Sequence, residues 1–280
     1  MKNPIVLLFL LTSNFLFAQE EIFLSPQLYS LEKFITIEEK LAPPVGYLRV
    51  KTDSNSFAAY LRNLPAINDN VLDFKNNVRI ENGDSSLALV VPVSIKGNRL
   101  WQCMDIILLF QTDFLSRSNK VDKINFPLPD GTNLSWAEWK DGIRPEFSGD
   151  RFAKSVSSGK DSTAKNFQRY LNNIFSYSGT QTFYHHFSKV SLDSIKPGDF
   201  IVKKGKKGHA VLIVDVAINK QNEKVVLIGQ GDTPACQFYL LKNKQGSPWF
   251  KILSNTKFPN LPIRKKMYWS GLRRFLHKYH

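Results

Sequence analysis

The run GHAVLIVDVA, then INKQNEK, then KVVLIGQG constrains this chain more than any other segment. Val, Ile and Leu dominate both flanks and a short polar stretch separates them, which is the pattern of an antiparallel hairpin. A four-residue loop sets Ile218 opposite Glu223, and counting back along that register brings His209 level with Asp232. Gln230 and Asp232 then share a face of the returning strand, and either can reach the His209 ring. Asp215 also falls on the side of His209, but six residues of strand span roughly 20 Å, so its role is structural. His209 itself follows a Gly205–Gly208 turn and is expected at an exposed lip, as a base, a ligand or a plain turn residue.

Helical spacing appears upstream. In NRLWQCMDIILLFQTDFLSRS, residues Cys103, Ile106, Ile107, Phe110 and Phe114 recur on one face, with Gly97 and Asn98 breaking the chain before them. AKNFQRYLNNIFSYSGT predicts a second helix with Gly179 as its stop, and Ser56 caps a short one that Pro65 ends. Residues 71–81, SSLALVVPVSI and CQFYLL read as strands, and residues 120–160 as loops around a brief aromatic element, SWAEWKDGIRP. Helices come first and a hairpin sheet later, which predicts one α+β domain over residues 40–255 rather than alternating α/β.

The ends carry different information. Lys2 followed by the apolar stretch Pro4–Phe17 and the small Ala18 predicts a secretory signal peptide over residues 1–18, then a polar lead over 19–39. The expected product is exported, periplasmic or extracellular, with no later transmembrane span. The formal charge is +14, one less once Lys2 departs, which suits peptidoglycan or other anionic envelope material as a partner. No nucleic-acid motif is present. The basic, aromatic segment 256–280 reads as a closing helix with a solvated cationic side, ahead of a helix for an anionic surface.

Two cysteines, Cys103 and Cys236, are too few for a disulfide framework. Cys103 lies in the first turn of its helix, where unpaired N–H groups and the helix dipole favour a thiolate. The competing reading is a buried, inert thiol. A cysteine nucleophile needs a base, generally from another element, and His209 fits that need with Gln230, or alternatively Asp232, orienting its ring. Gln102 and the Cys103 N–H are candidate oxyanion donors, and Gly208 leaves room for a substrate backbone. His185 and His186 are adjacent, with no HExxH, CxxC or carboxylate cluster, so no metal site is expected. Nothing in the chain calls for a cofactor.

The order of a Cys at a helix start, PGDF, GHAVLIVDVA and then a polar residue on the next strand resembles the papain-like cysteine peptidase and amidase superfamily. The secreted NlpC-type and CHAP-type cell-wall hydrolases are the nearest in style. That resemblance implies a nucleophile helix packed on an antiparallel sheet, with Cys103 as nucleophile, His209 as base and Gln230 as orienting residue. The run Gln102-Cys103-Met104-Asp105 departs from those hydrolases, which carry small polar residues around the cysteine. PPVGYLRV, SFAAYLRNLP, QCMDIILLFQTDFL, YLNNIFSYSGT, GDFIVKKGKKGHAVLIVDVA and SPWF further resemble a secreted Bacteroidetes-type family known as a numbered domain of unknown function. Two functions are therefore expected in competition: a secreted cysteine hydrolase of envelope peptide or amide bonds, and a non-catalytic envelope protein that binds a glycan, peptide or protein.

Overall fold

A computed structural model describes residues 34–253 and 255–276. The expected signal peptide over 1–18 and most of the expected polar lead lie outside these residues. Among them the fold is α+β, six helices and a nine-stranded antiparallel sheet. In chain order the sheet strands are β1 Tyr47–Arg49, β2 Leu87–Val91, β3 Ser188–Lys189, β4 Phe200–Lys203, β5 His209–Asn219, β6 Lys224–Gln230, β7 Phe238–Leu241, β8 Trp249–Lys251 and β9 Leu272–Arg274. Their spatial order is β2-β7-β6-β5-β4-β9-β3. The two longest strands each take two partners along one edge: β5 pairs with β4 near its start and β1 near its end, and β6 with β8 and then β7.

Both faces of the β5–β6 hairpin are buried, which is why its sequence is apolar without alternation. On one face Ala210, Leu212, Val214, Val225 and Leu227 pack beneath the helices. On the other, Val211, Ile213, Val216, Val226 and Ile228 meet Phe250, Met267, Trp269 and Leu272. The long helix α3, Cys103–Arg117, lies on the first face and is buried nearly all round from Cys103 to Leu115, with Phe110 edge-on to Phe238 of β7 at 5.0 Å between centroids. Ser56 caps α2, Phe57–Arg62, by accepting from the Ala59 N–H. Gly179 does not stop the helix Ala164–Tyr177; it is the N-cap of the next one, Thr180–His186.

The hairpin register differs from the count in two places, and the differences cancel. The turn holds three residues between Asn219 and Glu223, with Asn222 at φ 62°, so Ile218 pairs with Lys224 rather than Glu223. A bulge between Ile213 and Asp215 then restores the register, and Leu212 pairs with Gly229. Continued toward the strand start, that pairing puts His209 level with Asp232. The extra residue also turns Asp215 away from the face that His209 shares with Val211 and Ile213. Its carboxylate accepts from Arg49 Nε at 2.7 Å and Arg62 Nε at 2.8 Å, tying α2 and β1 to the centre of β5.

The C-terminal segment is not a closing helix. After a stretch without regular structure it forms one 3₁₀ turn, Trp269–Gly271, and then strand β9, which pairs with β4. Its aromatic residues cover sheet faces, and its cations are partly spent on anchoring. Arg274 clamps the buried Asp199 carboxylate at 2.6 and 2.8 Å, and Arg273 Nε donates to the Tyr184 carbonyl at 2.7 Å. No helix of the described residues is long and apolar enough to cross a membrane.

Asp215 is fully buried with two guanidiniums, so Asp215→Ala strands two cations and is expected to cost about 3–5 kcal/mol of folding stability. Urea unfolding of the variant measures this; a loss below about 1 kcal/mol would show the clamp to be dispensable.

Candidate functional site

The site forms where the first turn of α3 meets the start of β5 and the end of β6. Gly231, just past β6, makes that approach possible. A Cβ there would lie 2.8 Å from Ile106 Cδ1 and 3.6 Å from Cys103 Cα, so a side chain would crowd Ile106 and touch the helix start. Cys103 is the first residue of α3 and lies against the backbone of Ala210, next after His209. Thiol and imidazole thus come from adjacent points of one junction. Cys103 and Cys236 are both free and both buried.

His209 is only 2 % exposed, so it sits inside the lip rather than on it. Its Nε2 is 2.6 Å from Gln230 Oε1. Gln230 Nε2 in turn donates to the Tyr239 hydroxyl on β7. The amide is placed with its NH₂ toward Tyr239, whose hydroxyl can accept or donate, and its oxygen toward the ring, where it can only accept. The imidazole therefore carries its proton on Nε2, and Nδ1 holds a lone pair. Nδ1 is buried and has no hydrogen-bond partner. Burial holds the His209 pKa below the ordinary histidine value, outweighing the hydrogen bond to Gln230, so the ring is neutral at pH 7.

The thiol does not behave as its helix position suggested. Burial, reinforced by the nearby Asp105 carboxyl, pushes Cys103 up to about 11. A helix dipole contributes roughly 0.5–1 kcal/mol, and here desolvation overrides it. Asp105 accepts from the Gln102 N–H at 3.0 Å and is itself so buried that its carboxyl is raised to about 8. The resting pair is accordingly a neutral thiol and a neutral imidazole, not a thiolate–imidazolium pair.

Two cavities flank this junction. One of about 420 Å³ is lined by Gln102, Cys103, Thr180, Gly208 and Thr233 among others. The other, about 280 Å³, is lined by His209, Gln230, Tyr239 and Asp232. Lys265 lines both, with its Nζ donating to the Gly208 carbonyl at 2.9 Å. Gln102 Oε1 accepts from Thr233 Oγ1 at 2.8 Å, which leaves its NH₂ as the donating end. Gly208 does not reserve space for a substrate backbone: a Cβ there would fall 1.8 Å from Thr180 Oγ1, so the chain's own threonine fills the gap.

Of the two orienting candidates, Gln230 makes the direct contact. Asp232 pairs with Arg79 at 3.1 Å and acts on the ring only as a nearby charge. His185 and His186 lie in the last turn of the helix Thr180–His186, where the His186 ring packs against Gly131. Tyr239, Gly231 and Lys265 were not found by sequence reasoning. Tyr239 carries one usable signal, a lone hydroxyl in the apolar run CQFYLL, directly opposite Gln230 in the β6–β7 pairing. Lys265 carries none, being one of several cations in an irregular segment.

The chain belongs to the family described as Domain of unknown function (4846), whose model matches residues 37–265. No curated protein matches the chain, and no solved structure does.

Nitrogen-detected NMR of the His209 ring is expected to show the Nε2–H tautomer. Tyr239→Phe, which frees the Gln230 amide to rotate, is expected to mix the tautomers at a stability cost of about 1 kcal/mol. An Nδ1–H ring in the unaltered protein would overturn the orienting role of Gln230.

Proposed function

We propose that members of this family, through the junction of Cys103, His209 and Gln230, hydrolyse a peptide or amide bond by way of a thioester on Cys103. One observation carries the reading: a buried imidazole, hydrogen-bonded through Nε2 to Gln230, keeps its Nδ1 without a partner, and the next residue of its strand, Ala210, lies against a cysteine at a helix start. An unpaired buried acceptor is costly to keep and is typical of groups held for chemistry.

In this reading the Cys103 thiol proton passes to His209 Nδ1 as sulfur attacks the carbonyl carbon. The developing oxyanion is met by the Cys103 N–H and the Gln102 NH₂. His209 then gives the proton to the departing amine, the thioester forms, and a water activated by the same ring cleaves it to acid and free thiol. A high resting thiol pKa suits a base that acts only when substrate fills the groove. Export and basic charge make envelope peptides, such as peptidoglycan stems, the first substrates to try. The second reading, a binding protein on the same scaffold, draws on the burial that leaves the resting thiol weakly nucleophilic.

Amine release from envelope-derived peptides is the deciding assay. The hydrolase reading expects turnover that falls at least about 10³-fold in Cys103→Ala and in His209→Ala. Peptides that bind but are never cleaved, with affinity unchanged in Cys103→Ala, would replace it with the binding protein.

The pH profile is expected to be a bell. The acid limb falls as pH drops through the lowered pKa of His209, below 6.5, because an imidazolium cannot accept the thiol proton. The basic limb falls near pH 8, as Asp105 ionises and opposes the forming thiolate. Asp105→Asn keeps an acceptor for the Gln102 N–H and is expected to remove the basic limb; a limb that persists would exclude Asp105 as its source.

A further inference from the structure

The groove around Cys103 and His209 is unevenly charged. Lys206 and Lys207 stand exposed on the turn before His209 and line the cavity of Cys103. Arg79 and Arg264 line the cavity of His209, and Lys265 lines both. Only two carboxyls oppose them. Asp232 is engaged by Arg79 at 3.1 Å and Arg264 at 3.9 Å. Asp105, raised to about 8 by burial, is uncharged at pH 7. The groove is therefore net cationic, and a concave site of one sign concentrates ligands of the other.

Lys265 is the best placed of these cations. It is partly buried, its Nζ is anchored to the carbonyl of the residue before His209, and its charge acts on both Cys103 and His209. An ammonium has three N–H donors, and Gly208 uses one, so two remain for a ligand. Among the described residues no carboxylate pairs with Lys206, Lys207 or Lys265.

We propose that the groove takes peptides or amides bearing a free carboxylate next to the bond presented to Cys103. Lys265 receives that carboxylate, and Lys206 and Lys207 steer it in. The proposal deepens the hydrolase reading, but its binding half stands without it.

The test uses the full chain carrying Cys103→Ala, and calorimetry with two probes. One is a tetrapeptide with a glutamate side chain and a free C-terminal carboxylate; the other is its glutamine-containing, amidated counterpart. The acidic probe is expected to bind about tenfold tighter at low salt, the factor one charge-assisted hydrogen bond supplies, and the preference is expected to shrink as salt rises. A further Lys265→Gln change abolishes the preference, while Lys265→Arg, which keeps the charge and controls for folding, retains it. Equal binding of the two probes, or a preference that survives Lys265→Gln, overturns the proposal. Lys265-dependent binding without turnover by the unaltered chain would remove the hydrolase and leave this inference standing. Turnover of both probes with equal kcat/KM would remove this inference and leave the hydrolase.

Discussion

Burial of both faces of the β5–β6 hairpin is the constraint on which the rest depends. In a strand pair with even one buried face, a one-residue slip carries the whole apolar set into water. Here the helices occupy one face, and the C-terminal segment with β8 and β9 occupies the other, so a one-residue slip would misplace every side chain. The bulge at Val214 is therefore fixed in place, and so is the register beyond it that brings Gln230 to His209. Asp215, turned by the same bulge toward Arg49 and Arg62, ties the long strand to the helical layer midway along.

The site sits at the open end of this hairpin, where packing gives way to cavities. Its electrostatics follow from depth. Burial raises the thiol and the Asp105 carboxyl and lowers the imidazole, so three ionisable groups rest together without charge. Charge in the groove comes instead from its rim, where lysines and arginines remain in water. The result is a neutral floor beneath a cationic rim.

Much of the layout was legible in the sequence because it rests on local rules. The α3 periodicity, the Ser56 cap and the β-branched runs each reflect a few neighbouring residues. The meeting of His209 and Gln230 was legible because a hairpin register can be counted, and Cys103 was a candidate to join them because a thiol nucleophile needs a base and an orienter. The count reached His209 by two compensating differences, a three-residue turn and a bulge, neither of which has a strong local signal. The tail was misread for a related reason: basic and aromatic residues at helix-compatible spacing say nothing of a vacant edge on β4, and pairing with that edge decided its structure.

The sequence by itself determined the class of the fold and the central hairpin, and it singled out the candidate thiol, imidazole and amide, since each follows from residue type and short-range spacing. Tertiary structure decided what those groups are in place. It made His209 buried rather than exposed, chose Gln230 over Asp232, filled the space beside Gly208 with Thr180, and set Lys265 between two cavities. It also decided between the two readings of Cys103, a thiolate-favouring helix start and a buried thiol, in favour of burial. Dipole and helix position are properties of a segment, whereas desolvation depends on everything packed around it, and at Cys103 desolvation is the larger effect.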